Sequence, residues 1–193
     1  MRIRVSRALG GERPTSGRRT ITISGSSGES AVSTSHIRVR RALEGDIPQL
    51  ISALAPDVSA VQIGNRFQEH CDGYREMLVA ELGGSIAGTV SIAAVERRAE
   101  NSLRMFALDV GSAYRRQGIG TILIDYVEAR ARREGYGKVN LEVALDNGGA
   151  IRLYERLGYF RRGEPFTDRW TLLTGDGRYE QVEERSWVMV KTL

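Results

Sequence analysis

The sequence predicts an α/β (α+β) fold, and three observations predict it. Apolar stretches of period two alternate with stretches of helical period in the order β-α-α-β-β-β-α-β-α-β-β, which makes seven strands and four helices. Glycines punctuate the boundaries, at Gly83-Gly84, Gly118, Gly135 and Gly158. No internal repeat is visible.

His36–Ala42 reads as a strand with Ile37 and Val39 on one face. Asp46 suits an N-cap, and Pro48 falls early in the next helix, where its missing N–H costs little. That helix runs through Leu50, Ile51 and Leu54, and an irregular helical stretch spans about Ile63–Cys71. Met77–Leu82 is a strand, Gly83-Gly84 is a tight turn of the positive-φ kind, and Ile86–Val95 returns as the hairpin partner. Leu103–Val110 is a further strand. A loop ending at Gly118 and Gly120 then leads into an amphipathic helix to about Arg133, with Ile122, Leu123, Tyr126 and Val127 at helical spacing. Gly135 and Gly137 close it. Val139, Leu141, Val143 and Leu145 alternate as a strand, and Gly149–Leu157 is a helix ended by Gly158. Tyr159–Arg162 and Arg185–Lys191 form a last strand pair, separated by a long polar segment containing Asp176-Gly177.

With 193 residues, 41% of them apolar, the chain can hold one domain with a real core plus a tail. No run approaches the about 18 apolar residues of a membrane span, so no membrane partner is expected. The single cysteine, Cys71, points to a reducing compartment, most simply the cytoplasm. Residues 1–35 hold six arginines and two glutamates, a charge of +4. Residues 36–193 hold 22 basic (28 − 6) and 22 acidic (24 − 2) residues. The folded part is therefore neutral, which argues against nucleic-acid binding by it. Residues 1–35 are too poor in large apolar side chains to fold alone. They read as a basic flexible tail, with an organelle-targeting peptide or a docking arm as alternatives and a secretory signal as the poorest fit. Within them Thr20–Ile23 alternates as an edge strand would. The domain proper is 36–193.

The segment Arg115-Arg116-Gln117-Gly118-Ile119-Gly120-Thr121 joins a strand to a helix start. Free helix N–H groups, the helix dipole and glycines lacking Cβ atoms make such a junction an anion site. A dinucleotide fingerprint would need glycine where Leu123 stands, and a phosphate-binding Gly-Lys-Ser/Thr is absent. Taken alone, the segment is equally an ordinary strand–turn–helix junction.

The wider pattern narrows this. Leu108-Asp109-Val110, followed by Arg116-Gln117-Gly118-Ile119-Gly120, resembles motif A of the GNAT superfamily of N-acetyltransferases. Asn147, Ala150-Ile151, Leu153-Tyr154 and Leu157-Gly158-Tyr159 resemble its second motif, Asn-x-x-Ala-x-x-Leu-Tyr-x-x-x-Gly-Phe. The stretch from Leu141-Glu142-Val143 to Leu153-Tyr154 is similar to bacterial ribosomal-protein N-terminal alanine acetyltransferases. The resemblance implies a mixed, mostly antiparallel sheet of about seven strands whose fourth and fifth strands are parallel and splay apart, flanked by four helices. It implies acetyl-CoA (coenzyme A) as cofactor. The cofactor contacts it implies are Leu108, Asp109 and Val110, the segment Arg115, Arg116, Gln117, Gly118, Ile119, Gly120 and Thr121, and Asn147, Ala150 and Tyr154.

An alkylamine has a pKa near 10 and must lose a proton before attacking a thioester, while the departing thiolate gains from a donated one. By the resemblance Tyr154 is the candidate acid, and it is also a core residue on the stripe Ile151, Tyr154, Leu157. Glu142 is the candidate base, with a salt-bridged or solvated strand residue as the alternative; Glu81 and Asp109 stand in reserve, and a water relay is open. Asn147 is a cofactor contact, an N-cap, or both. His36 and His70 are far apart in sequence and no Cys/His cluster has metal-ligand spacing, so no metal is expected.

Gln62–Asp72 is expected to form one acceptor wall and Phe166–Arg178, with Asp168 and Trp170, another; Glu69, Asp72 and Asp168 would suit a cationic acceptor. Thr174–Arg178 resembles a late loop of the ribosomal-protein enzymes, but the spacer before Trp187 is longer. The acceptor is thus the primary amine of a small molecule, aminoglycoside-like ones included, or a peptide N-terminus. A homodimer stays open. Two other classes compete with the enzyme: a catalytically silent acyl-CoA-binding or regulatory module on the same fold, and a ribosome- or nucleic-acid-associated protein using the basic tail.

Overall fold

The computed structural model describes residues 37–94, 101–173 and 178–193. The tail, the Thr20–Ile23 run and the 174–177 part of the late loop lie outside the described residues. Seven strands, β1 (Ile37–Arg41), β2 (Glu76–Leu82), β3 (Ser85–Ala94), β4 (Ser102–Val110), β5 (Lys138–Ala144), β6 (Phe160–Leu173) and β7 (Tyr179–Thr192), make one sheet in the order β1-β2-β3-β4-β5-β7-β6. Four α-helices flank it: α1 (Ile47–Leu54), α2 (Ala60–Cys71), α3 (Ile119–Arg133) and α4 (Gly148–Arg156).

Strand alternation divides the core into two layers. On β2, Leu78 and Ala80 face the cluster built with Ile119, Leu123, Ile124, Val127 and Ala131 of α3 and Ile151 of α4. Met77 and Val79 face the other side, against Leu50 and Leu54 of α1 and Ile63 of α2. The buried stripe of α3 is thus rotated from the expected one: Ile122 and Tyr126 are only half-buried, because the sheet takes the face that begins at Ile119. Gly83 and Gly84 turn the β2–β3 hairpin with φ of 59° and 84°, as expected.

Three local expectations change. Helix α2 begins earlier than expected, because Ser59 and Gln62 form a reciprocal capping box. The polar spacer after Arg162 is strand: β6 and β7 pair from Phe166↔Ser186 to Leu173↔Tyr179. Cross-strand pairing, with no apolar alternation to announce it, holds this arm. Asp46 precedes α1 but does not cap it. Its carboxylate accepts from Leu43 N–H at 2.8 Å and from both terminal nitrogens of Arg40 at 2.6 and 2.7 Å.

That pair makes a testable contribution to stability. Arg40 holds the Asp46 carboxyl below its ordinary 3.8. A depressed folded-state pKa gives stability that is present above the unfolded value and lost as pH falls through the folded one. Asp46→Asn is therefore expected to cost about 1–3 kcal/mol at pH 7. In urea titrations at a series of pH values the gap from wild type should close below about pH 4. A gap independent of pH would contradict this.

The sheet's only parallel pair among the described residues is β4–β5, and it is short. Ser102, Leu103 and Arg104 pair with Lys138, Val139 and Asn140, and Asn140 Nδ2 donates to Ser102 Oγ at 2.8 Å. Beyond Arg104 and Asn140 the strands part. Each stays bound on its outer edge only, β4 to β3 and β5 to β7. A bulge in β4, where Ala107 adopts φ 50°, separates the Ser91↔Phe106 pair from the Thr89↔Asp109 pair and bends the strand at the split.

Candidate active site

The parted strands bound a cleft of about 1300 Å³. Its mouth is the β4–α3 loop on one side and the start of α4 on the other. The cleft is lined as well by Arg66 of α2, by Arg75, by Arg104 and Phe106 of β4, by Glu142 of β5 and by Ser186 of β7.

The loop is shaped by two left-handed residues, Arg116 at φ 63° and Gly118 at φ 82°. Gln117 Nε2 braces it by donating to Ala113 O at 3.1 Å. The first helical bond of α3 is Ile122 N–H to Gly118 O at 3.0 Å. The N–H groups of Gly118, Ile119, Gly120 and Thr121 therefore find no acceptor among the described residues. Nothing would crowd an added Cβ within 4 Å at Gly118, and at Gly120 the nearest atoms, on Leu153 and Val110, are 3.8 and 3.9 Å away. An anion can thus approach the backbone here. Arg115 is exposed but tied back along the loop. Its Nε donates to Val110 O at 3.1 Å and its guanidinium pairs with Asp57, so it fixes the loop to the end of β4. Arg116 is likewise exposed.

Leu108, Asp109, Val110, Asn147, Ala150 and Tyr154 all line the cleft. Asn147 caps α4, its Oδ1 accepting from Ala150 N–H at 3.2 Å. Tyr154 is buried, 8% exposed, and packs tilted on Tyr159 with ring centroids 5.8 Å apart. Burial, and then the nearby Asp109 carboxylate, push its phenol well above the ordinary value of 10, so the hydroxyl is protonated at neutral pH and can donate.

Val139, Leu141 and Val143 turn into the core beneath α3 and α4, so Glu142 faces the opposite side of β5. Tyr154 and Glu142 thus reach the cleft from the two faces of the sheet. Glu142 Oε2 accepts from Arg104 Nη2 at 3.0 Å, the ion pair that the non-catalytic alternative anticipates. Asp109 is buried and takes Arg66 Nη1 at 2.7 Å; burial raises its pKa and Arg66 opposes the rise. Glu81, the other reserve base, pairs with Arg40 on β1 and lies outside the cleft.

The acidic character expected of the α2 wall is corrected by the structure. Glu69 turns away from the cleft and pairs with Arg75, and Asp72 is exposed with Gln68 as partner. Arginines line this wall instead. The missed signal is in the helix itself: Arg66 stands three residues after Ile63, on the apolar stripe of α2, where a solvated arginine has no reason to be. His70 Nδ1 accepts from the Met77 N–H at 3.3 Å, and no metal-binding cluster occurs among the described residues. No described helix is long and apolar enough to cross a membrane.

Residues 48–159 match the acetyltransferase (GNAT) family. N-acetyltransferase 8 of Rattus norvegicus is 40% identical over 97 residues, 49% of this chain and 44% of that protein. The chain thus spans less than half the length of this curated relative. Among solved structures, ribosomal-protein-alanine N-acetyltransferase from Brucella melitensis superposes with a TM-score of 0.60 at 23% identity, over 80% of this chain and 99% of that one. Spermidine N-acetyltransferase from Vibrio cholerae, solved with CoA and spermine, superposes with a TM-score of 0.62 at 17% identity, over 81% and 95%. At these identities the two structures establish a shared fold.

Proposed function

The chain belongs to the acetyltransferase (GNAT) family, and on that premise we propose that it moves an acetyl group from acetyl-CoA directly to a primary amine of a small molecule or a peptide N-terminus. The observation that carries this reading is the split between β4 and β5, which opens a strand edge between an anion site and a buried, protonated phenol.

The roles follow from the chemistry. Acetyl-CoA supplies a thioester, whose carbonyl carbon accepts the amine and whose sulfur leaves. The helix-start N–H groups of Ile119, Gly120 and Thr121, with Arg116 at the rim, would hold its pyrophosphate. The inner edge of β4 around Leu108 and Val110 would bond the amides of its pantetheine arm as a further strand does. Only about one alkylamine in a thousand is neutral at pH 7, so a proton must leave through Glu142 or through water. Tyr154 returns a proton to the departing thiolate, and no covalent enzyme intermediate is needed.

A thiol-release assay with acetyl-CoA over amino acids, polyamines, aminoglycosides and short peptides tests this. Turnover on at least one amine class is expected. Tight coenzyme binding with no turnover on any of them would favour the silent acyl-CoA-binding module.

A further inference from the structure

The cleft lining carries more guanidinium donors than the described residues use. Arg66 is 1% exposed. Its Nη1 is bonded to Asp109, but its Nε and Nη2 have no partner among the described residues. Arg75, 6% exposed, donates from Nη1 to Ser91 Oγ at 3.3 Å and pairs through Nη2 with Glu69, and its Nε is likewise unpartnered. Both side chains line the cleft. Phe106 lies under the Arg75 guanidinium at 4.7 Å and fixes its plane. Burial, aided by repulsion from Arg66, pulls Arg75 below its ordinary pKa.

Unmade donors on buried cations are costly, and native structures keep few of them without a use. A planar carboxylate answers a guanidinium edge with two parallel bonds. We propose that the acceptor amine carries a carboxylate, as an α-amino acid does, and that Arg66 and Arg75 bind that carboxylate. The proposal rests on the reading of the cleft as an acetyl-transfer site.

The arrangement also orients the acceptor. Asp109 bonds Arg66, and Arg66, Asp109 and Tyr154 all line the same cleft. In an α-amino acid a single carbon separates amine from carboxylate. A carboxylate held by Arg66 therefore keeps the amine close to the Arg66–Asp109 pair, within the cleft that Tyr154 and Glu142 also line. A purely cationic acceptor, such as a polyamine, would leave the free donors unmet and bring positive charge against two buried arginines.

The test uses the full chain, acetyl-CoA, a panel of L-amino acids and the matched carboxamides, which keep size but lose the negative charge, with rates compared per neutral amine because the carboxamide lowers the amine pKa. For the preferred side chain, kcat/KM is expected to favour the acid by about 100-fold, the size of one or two charge-assisted hydrogen bonds. Calorimetric titration of the same panel into coenzyme-A-saturated protein gives a readout independent of turnover. Arg66→Lys keeps a cation for Asp109 but removes the fork, and should bring the acid-to-amide ratio towards one. If thermal melting shows that this variant does not fold, the wild-type acid-to-amide ratio decides alone. Acids and amides binding and reacting equally would overturn the proposal and leave the donors to buried water. Acids that bind better than amides without being acetylated would uphold the subsite and overturn the transfer reading instead.

Discussion

Gly120→Glu is expected to weaken coenzyme A binding by about a thousandfold while the fold survives. A Cβ at residue 120 has room, with its nearest neighbours at 3.8 and 3.9 Å, so the backbone tolerates the change. The new carboxylate would extend between Val110 and Leu153 into the mouth, where it occupies the N–H groups offered to the pyrophosphate. Two like charges about 4 Å apart at an effective dielectric near 20 cost about 4 kcal/mol, which is about three decades in affinity. Gly120→Ala is the control, since it adds helix propensity without charge. Gly118→Glu should also abolish binding, but at φ 82° any side chain strains the loop, so position 120 reads the electrostatic effect more cleanly. Calorimetric titration checks both, and unchanged affinity in Gly120→Glu would remove the loop from the cofactor site.

Tyr154→Phe is expected to lower turnover by about 10²- to 10³-fold, within the range for losing a positioned acid, with coenzyme affinity little changed. Phenylalanine keeps the ring packing against Tyr159, so the change isolates the hydroxyl. Because burial and Asp109 hold the phenol protonated far above neutral pH, wild-type activity should show no alkaline fall attributable to this group up to pH 10. Single-turnover and steady-state rates over pH 6–10 measure both effects. Wild-type turnover in the variant would mean that another donor protonates the thiolate.

Much of the fold was legible because local rules agree with it. Gly83-Gly84, Pro48 and the alternation of Val139, Leu141 and Val143 each point to one conformation, and the structure adopts it. The boundaries that moved did so for side-chain reasons: the Ser59–Gln62 box lengthened α2, and Arg40 drew Asp46 away from α1. The outer arm of β6 and β7 was illegible because its apolar residues, among them Phe166, Trp170, Leu172 and Val182, are scattered among charged ones, and only the pairing with the other strand marks it as sheet. At the site, the phosphate loop and Tyr154 could be named because their spacing is local. Arg66 and Arg75 could not: Asp109 lies 43 residues from Arg66, and Ser91 16 from Arg75. Only the meeting of α2, β2, β3 and β4 turns those arginines from surface charges into a cleft wall.

The sheet order also makes the cleft depend on distant parts of the chain. Strand β7 sits between β5 and β6 although it follows both in the chain. Beyond the three-residue seam with β4, the one strand paired with β5 among the described residues is β7, from Lys138↔Thr192 to Ala144↔Ser186. The strands β1 to β4 can zip as consecutive neighbours, through contacts that are cheap in loop entropy. The second wall therefore depends on a segment more than forty residues downstream of β5. A change that breaks the β5–β7 ladder would thus reach the ligand cleft from a distance in sequence and leave the β4 edge open to other strands.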